Sequence, residues 1–152
     1  SFLFKPEFIK QLVSEFPNII GVKDSSYNLY ENLKIPNFLI FPGSEAKLVK
    51  SLELGCAGCI SAVTNVTHSI ARKVFDDFEK KSSQSMNTKL ISVRETFDKY
   101  HLISALHFFM SCSDKKYKNL LPPLVSLSDT EEKELLTKLE NLDFLPNKGM
   151  AA

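Results

Sequence analysis

The sequence has no tryptophan, only five glycines and three cysteines in 152 residues, and almost no net charge: 19 Lys and Arg face 18 Asp and Glu, a formal +1. So even a balance leaves no excess field to hold nucleic acid or an anionic membrane surface. No apolar run approaches the roughly 18 residues of a membrane span, and the run around Phe38 to Phe41 is strand-sized. The first ten residues lack the basic start and long apolar stretch of a secretory signal, meeting Pro6, Glu7 and Lys10 instead, so the cytoplasm is expected. Cys56, Cys59 and Cys112 are an odd number in a chain large enough to build a core without staples, which suits a reducing compartment without disulfides. What is present, 43% hydrophobic and 24% charged residues, describes a globular chain of about one domain. Beginning at Ser1 rather than Met suits a processed chain, a trimmed one or the tail of a longer gene.

Pro6 is a good first helical residue, and Phe8, Ile9, Leu12, Val13 and Phe16 recur at helical spacing up to Pro17-Asn18. Three short apolar runs follow, at about 19–23, 38–41 and 58–62, each reading as a strand buried on both faces of a parallel sheet. Helical material separates them. Leu29 to Lys34 leaves room for one short helix before Pro36, and Ser44 can cap a helix that ends at Gly55. Beyond Asn65 no further strand is expected. Helices are read around Ile70 to Phe78, Leu90 to Tyr100 and Leu102 to Cys112, then a Pro122-Pro123 link, then a last helix opened by the capping box of Ser128 and Glu131 and running to about Leu142. The tail after Pro146 is expected to fray. The fold class is therefore α/β, with βα units over 1–80 and a helical region over 86–145.

Lys23 ends an otherwise apolar strand, and strand C-termini are where β/α folds place reactive groups. An apolar mouth penalises the charged form of a lysine and favours the neutral amine, which attacks carbonyl carbon. Alternation puts Gly21 on the same side as Lys23, with space expected beneath the amine, and Asp24 on the other side. A strand-end lysine reaching to solvent is the equally simple alternative. Cys56-Ala57-Gly58-Cys59 has redox or zinc spacing but leaves a helix end for a strand, so packing is expected; His68, His101, His107 and Cys112 form no ligand set, and no metal is assigned. His107 reads as a packed helical histidine, Tyr27 and Tyr30 as helix-surface residues, and Lys80-Lys81 and Lys115-Lys116 as solvated faces.

Ile20-Gly21-Val22-Lys23-Asp24-Ser25-Ser26, then Phe41-Pro42-Gly43-Ser44-Glu45, then Gly55-Cys56-Ala57-Gly58-Cys59-Ile60-Ser61-Ala62 resemble, in order and spacing, the dihydrodipicolinate synthase and N-acetylneuraminate lyase family of pyruvate-dependent class I aldolases. Leu121-Pro122-Pro123-Leu124 is similar to that family's last Pro-containing link. The resemblance implies a partial (β/α)8 TIM barrel, its last three βα units, followed by a helical cluster. It implies Lys23 as the Schiff-base lysine, so that no cofactor is needed. Ile60 would meet the pyruvate carboxylate through its main chain, with Gly43, Ser44 and Glu45 at the pocket mouth; a helix cap is the alternative for Ser44. The substrates implied are pyruvate and an aldehyde: aspartate semialdehyde in the synthase, or the partner of a 2-keto-3-deoxy sugar-acid aldolase or N-acetylneuraminate lyase. The family's proton-relay tyrosines, threonine and arginine would precede Ser1, and its members form homo-oligomers. A truncated, non-catalytic half-barrel is the reading from another class.

Overall fold

A computed structural model describes residues 3–146. The expectation for the tail after Pro146 lies outside the described residues. Helix α1 (Pro6–Glu15) begins at its proline, and the Phe16 N–H closes it on the Leu12 carbonyl. Strand β1 (Gly21–Asp24) follows, then α2 (Leu29–Asn32) and β2 (Leu39–Pro42). The two strands pair in parallel, Gly21 opposite Leu39 and Lys23 opposite Phe41. A 3-10 turn (Glu45–Lys47), capped by the Ser44 hydroxyl accepting from Ala46 N–H, leads into α3 (Leu48–Glu53). Gly55, at φ +85°, turns the chain out of that helix.

Residues 58–62 do not form the expected third strand. Ala57 N–H donates to the Ile40 carbonyl and Ile60 N–H to the Pro42 carbonyl, each at 3.1 Å, so the segment advances three residues against two of β2. Gly58 sits at φ +148° and Pro42 has no N–H to return, which leaves a bulged attachment in place of a ladder. Composition carries the apolar run but not its register.

Four helices complete the fold: α4 (Thr64–Glu79), α5 (Asn87–Phe97), α6 (Leu102–Ser111) and α7 (Asp129–Glu140). The capping box of α7 is present as expected, Ser128 and Glu131 each serving the other's backbone. The Pro122-Pro123 bond is cis. Among the described residues no helix is long and apolar enough to cross a membrane.

Burial divides the apolar residues among three clusters. Ile9, Leu29, Leu33, Ile40 and Cys56, with Val22 and Val13 against them, close the helix-covered side of the sheet. Leu48, Leu52, Val74 and Leu90 join α3, α4 and α5, with Cys59 at their margin. Val93, Phe97, Phe109, Leu135 and Leu139 unite α5, α6 and α7. The opposite side of the sheet is open: Leu39 is 43% and Ile60 46% exposed.

Candidate functional site

At its C-terminal end β1 splits into two environments on successive residues. Asp24 is buried, and its carboxylate accepts from the backbone N–H groups of Leu29 (2.9 Å), Tyr30 (3.0 Å) and Ser26 (3.0 Å) and from the Ser26 hydroxyl (2.6 Å). These bonds satisfy the orphan donors that open α2 and fix the turn behind the strand. Lys23, on the other face, is exposed, and its Nζ donates to Ser25 Oγ at 2.7 Å. The enclosing apolar mouth expected from sequence is not formed by the described residues; the amine stands above the open side of the sheet.

Gly21 in β1 and Gly43 just past β2 are both explained by close approach. A Cβ on Gly21 would lie 2.7 Å from the Leu39 carbonyl oxygen, so Gly21 lets β2 come close; the space expected beneath the amine is taken by the neighbouring strand. A Cβ on Gly43 would lie 2.8 Å from Ser25 Oγ, which brings Gly43 beside the hydroxyl that holds Lys23.

Ser44 and Glu45 turn away from this corner. Ser44 is buried and spent on its cap, the alternative already stated for it. Glu45 is fully buried. Its carboxylate accepts from Thr67 Oγ1 (3.2 Å) on α4 and from Arg94 NH1 (3.2 Å) on α5. Arg94 NH1 also donates to Ser61 Oγ (3.0 Å), and Arg94 Nε reaches both Asp98 oxygens at 2.9 Å. Ile60 lies at the same end of the sheet as Gly43, but its N–H is already given to Pro42.

Sequence reading missed Ser25, Ser61, Thr67 and Arg94. Arg94 left one signal: a lone cation on the apolar face formed by Leu90, Val93 and Phe97. Tyr30 is buried rather than on a helix surface, its hydroxyl donating to Glu31, whereas Tyr27 is exposed at φ +58° ahead of α2. The CxxC cysteines part company, Cys56 into one cluster and Cys59 against another. His107 donates a ring N–H to the Tyr117 carbonyl at 2.8 Å. A cavity of about 500 Å³ lies between α4 and α6, near His68, Phe109 and Phe144, and none of the candidate residues borders it.

Known proteins share this sequence pattern and this fold. A 2-dehydro-3-deoxy-D-gluconate/2-dehydro-3-deoxy-phosphogluconate aldolase of Picrophilus torridus is 30% identical over 129 residues, covering 78% of this chain and 47% of its own. The 4-hydroxy-tetrahydrodipicolinate synthase structure of Methylacidiphilum fumariolicum SolV superposes with a TM-score of 0.79 at 17% identity, over 91% of this chain and 49% of that one. YagE of E. coli K12, a prophage protein of the dihydrodipicolinic acid synthase family solved in complex with pyruvate, gives 0.75 at 19%, over 92% and 51%. The chain spans about half the length of the curated relatives it matches. Since the sequence model of the dihydrodipicolinate synthetase family also matches residues 2–142, the chain belongs to that family.

Proposed function

We propose that this chain carries the Schiff-base half of a pyruvate-dependent lyase. In this reading β1, β2 and the bulged segment 57–61 are the sixth, seventh and eighth staves of a (β/α)8 barrel, and further β/α units close the wall on the open side of the sheet. The observation that carries it is the position of Lys23: a lone amine at the C-terminal end of a parallel strand, beside Gly43, on the face the helices leave uncovered.

The neutral amine adds to the ketone carbon of pyruvate; a proton is taken up, water leaves, and a protonated imine remains. The imine draws electrons from the methyl carbon, which loses a proton to a base and becomes an enamine. The enamine carbon attacks an aldehyde carbonyl, whose oxygen takes up a proton as the new carbon-carbon bond forms and the imine returns; water then adds to the imine carbon, the carbon-nitrogen bond breaks, and Lys23 leaves as the amine. The keto acid's carboxylate faces the main chain around Ile60. Since the Ile60 N–H serves Pro42, the neighbouring amides supply the donors. Gly43 keeps the corner open, while Ser44 and Glu45 shape the loop from behind. Aspartate semialdehyde is the aldehyde proposed first, after the synthases among its structural neighbours. The 30% identical aldolase favours, as the second reading, a 2-keto-3-deoxy sugar-acid aldolase whose aldehyde is a hydroxyaldehyde.

Borohydride reduction in the presence of pyruvate, with peptide mapping by mass spectrometry, tests the reading. The adduct is expected on Lys23 and lost in Lys23→Met. An adduct elsewhere, or none when the full-length protein is used, overturns it. Supplying each aldehyde with pyruvate separates the two substrates.

A further inference from the structure

Buried arginine is costly unless each of its donors is used, and Arg94, 8% exposed, is the cation at the junction of four elements. Its NH1 joins Glu45 on the turn after β2 to Ser61 on the bulged segment, Thr67 of α4 completes the Glu45 carboxylate, and Asp98 holds the Nε edge one turn along α5. A buried ion pair gains little over apolar residues of equal volume, so what this group supplies is geometry.

That geometry is needed at the segment Arg94 touches. Segment 57–61 has no ladder, only the Ala57 and Ile60 bonds to β2 in bulged register, and immediately beyond the second of these Ser61 is seized by Arg94. Ser61 Oγ also accepts from Val63 N–H at 3.3 Å, so the serine bridges the segment to the start of α4. The guanidinium does for residues 60–62 what regular pairing does for β1.

We infer that Arg94 is a positioning residue for keto-acid recognition: through Ser61 and Glu45 it sets the main chain of residues 60–62, and the loop at Gly43, in the arrangement that receives the carboxylate. The inference rests on the Schiff-base reading and deepens it. Lys23 lies outside this network, held by Ser25 just past the end of β1, so loss of Arg94 weakens capture of the keto acid and leaves the reactivity of the amine alone. Lysine at this position keeps the charge but cannot span Glu45, Ser61 and Asp98 together.

The test compares Arg94→Lys and the double variant Arg94→Met/Glu45→Gln, which leaves no buried unpaired charge at Glu45, with the unsubstituted protein. Two readouts are taken: amide hydrogen exchange of peptides covering 58–63 and 21–24, and the pyruvate concentration giving half-maximal borohydride trapping at Lys23. The double variant is expected to exchange about tenfold faster over 58–63 and unchanged over 21–24, and to need about tenfold more pyruvate, the scale of one charge-assisted hydrogen bond, with trapping at saturation retained. Arg94→Lys falls between. Unchanged exchange over 58–63, or a fall in saturated trapping equal to the loss of affinity, overturns the inference. Absence of any adduct in the unsubstituted full-length protein overturns the Schiff-base reading instead, and the exchange data still decide whether Arg94 holds the segment.

Discussion

Glu45 and Arg94, 49 positions apart, meet in an ion pair at 3.2 Å with Glu45 entirely excluded from solvent, and so tie the turn after β2 to a helix three elements further on. Removing Arg94 strands the Glu45 charge, whereas removing Glu45 leaves Arg94 its pairing with Asp98. Arg94→Met is expected to destabilise the fold by about 3–5 kcal/mol, Glu45→Gln by less, and the double variant by clearly less than the sum, on urea denaturation. Strict additivity would show that the two groups share no energy.

Gly21 and Gly43 should respond differently to one methyl group. Gly21→Ala drives Cβ against the Leu39 carbonyl, a backbone atom that cannot step aside, and is expected to cost about 1–3 kcal/mol by loosening the β1 and β2 pairing. Gly43→Ala meets the Ser25 hydroxyl first, which can rotate. Its stability loss should be the smaller of the two, while pyruvate trapping at Lys23 slows because the Ser25 contact is displaced. Thermal unfolding and trapping rates on the same samples check both.

Acid should find Asp77. Its hydrogen bond to Lys73, supported by Ser85, holds this buried carboxylate below its ordinary value of 3.8. The unfolded chain therefore takes up the proton at higher pH than the folded one, so the stabilisation is complete above the ordinary value and is lost as pH falls through the folded value. Urea midpoints should drop below about pH 4, and Asp77→Asn should flatten that drop.

Burial pushes the Cys59 thiol up to about 11, with the Glu45 charge adding and Arg94 opposing, and burial also raises Cys56 and Cys112. Only the thiolate alkylates readily. At about pH 8 iodoacetamide should modify the exposed Cys112 first, with Cys59 following only on unfolding or as the solution approaches its raised value. Peptide mapping over time gives the order.

Local chemistry made the helix signals legible: Pro6 opens α1, and Ser128 with Glu131 opens α7, because each acts within one turn of itself. The strand that carries Lys23 is equally legible, its apolar residues being contiguous, but it runs over Gly21–Asp24 rather than 19–23 and ends one residue past the lysine. The third segment misled, since Gly58 to Ala62 has a strand's composition while its pairing depends on Pro42 having no N–H to return and on Gly58 taking an extra step. Glu45 follows a strand end, which places it near a mouth; which way it turns is decided by Arg94, Thr67 and Ser61, none adjacent to it in sequence. Tyr30 was misplaced because a four-residue helix offers too little periodicity to tell its buried side from its exposed one.

One peptide bond separates the most tethered side chain of β1 from its least tethered. Asp24, with four acceptor contacts, clamps the backbone immediately after Lys23, while Lys23 itself keeps one neighbour at the surface. A molecule that condenses with that nitrogen consequently meets a pedestal already immobilised, and the ordering it must impose is confined to a flexible arm of four methylenes.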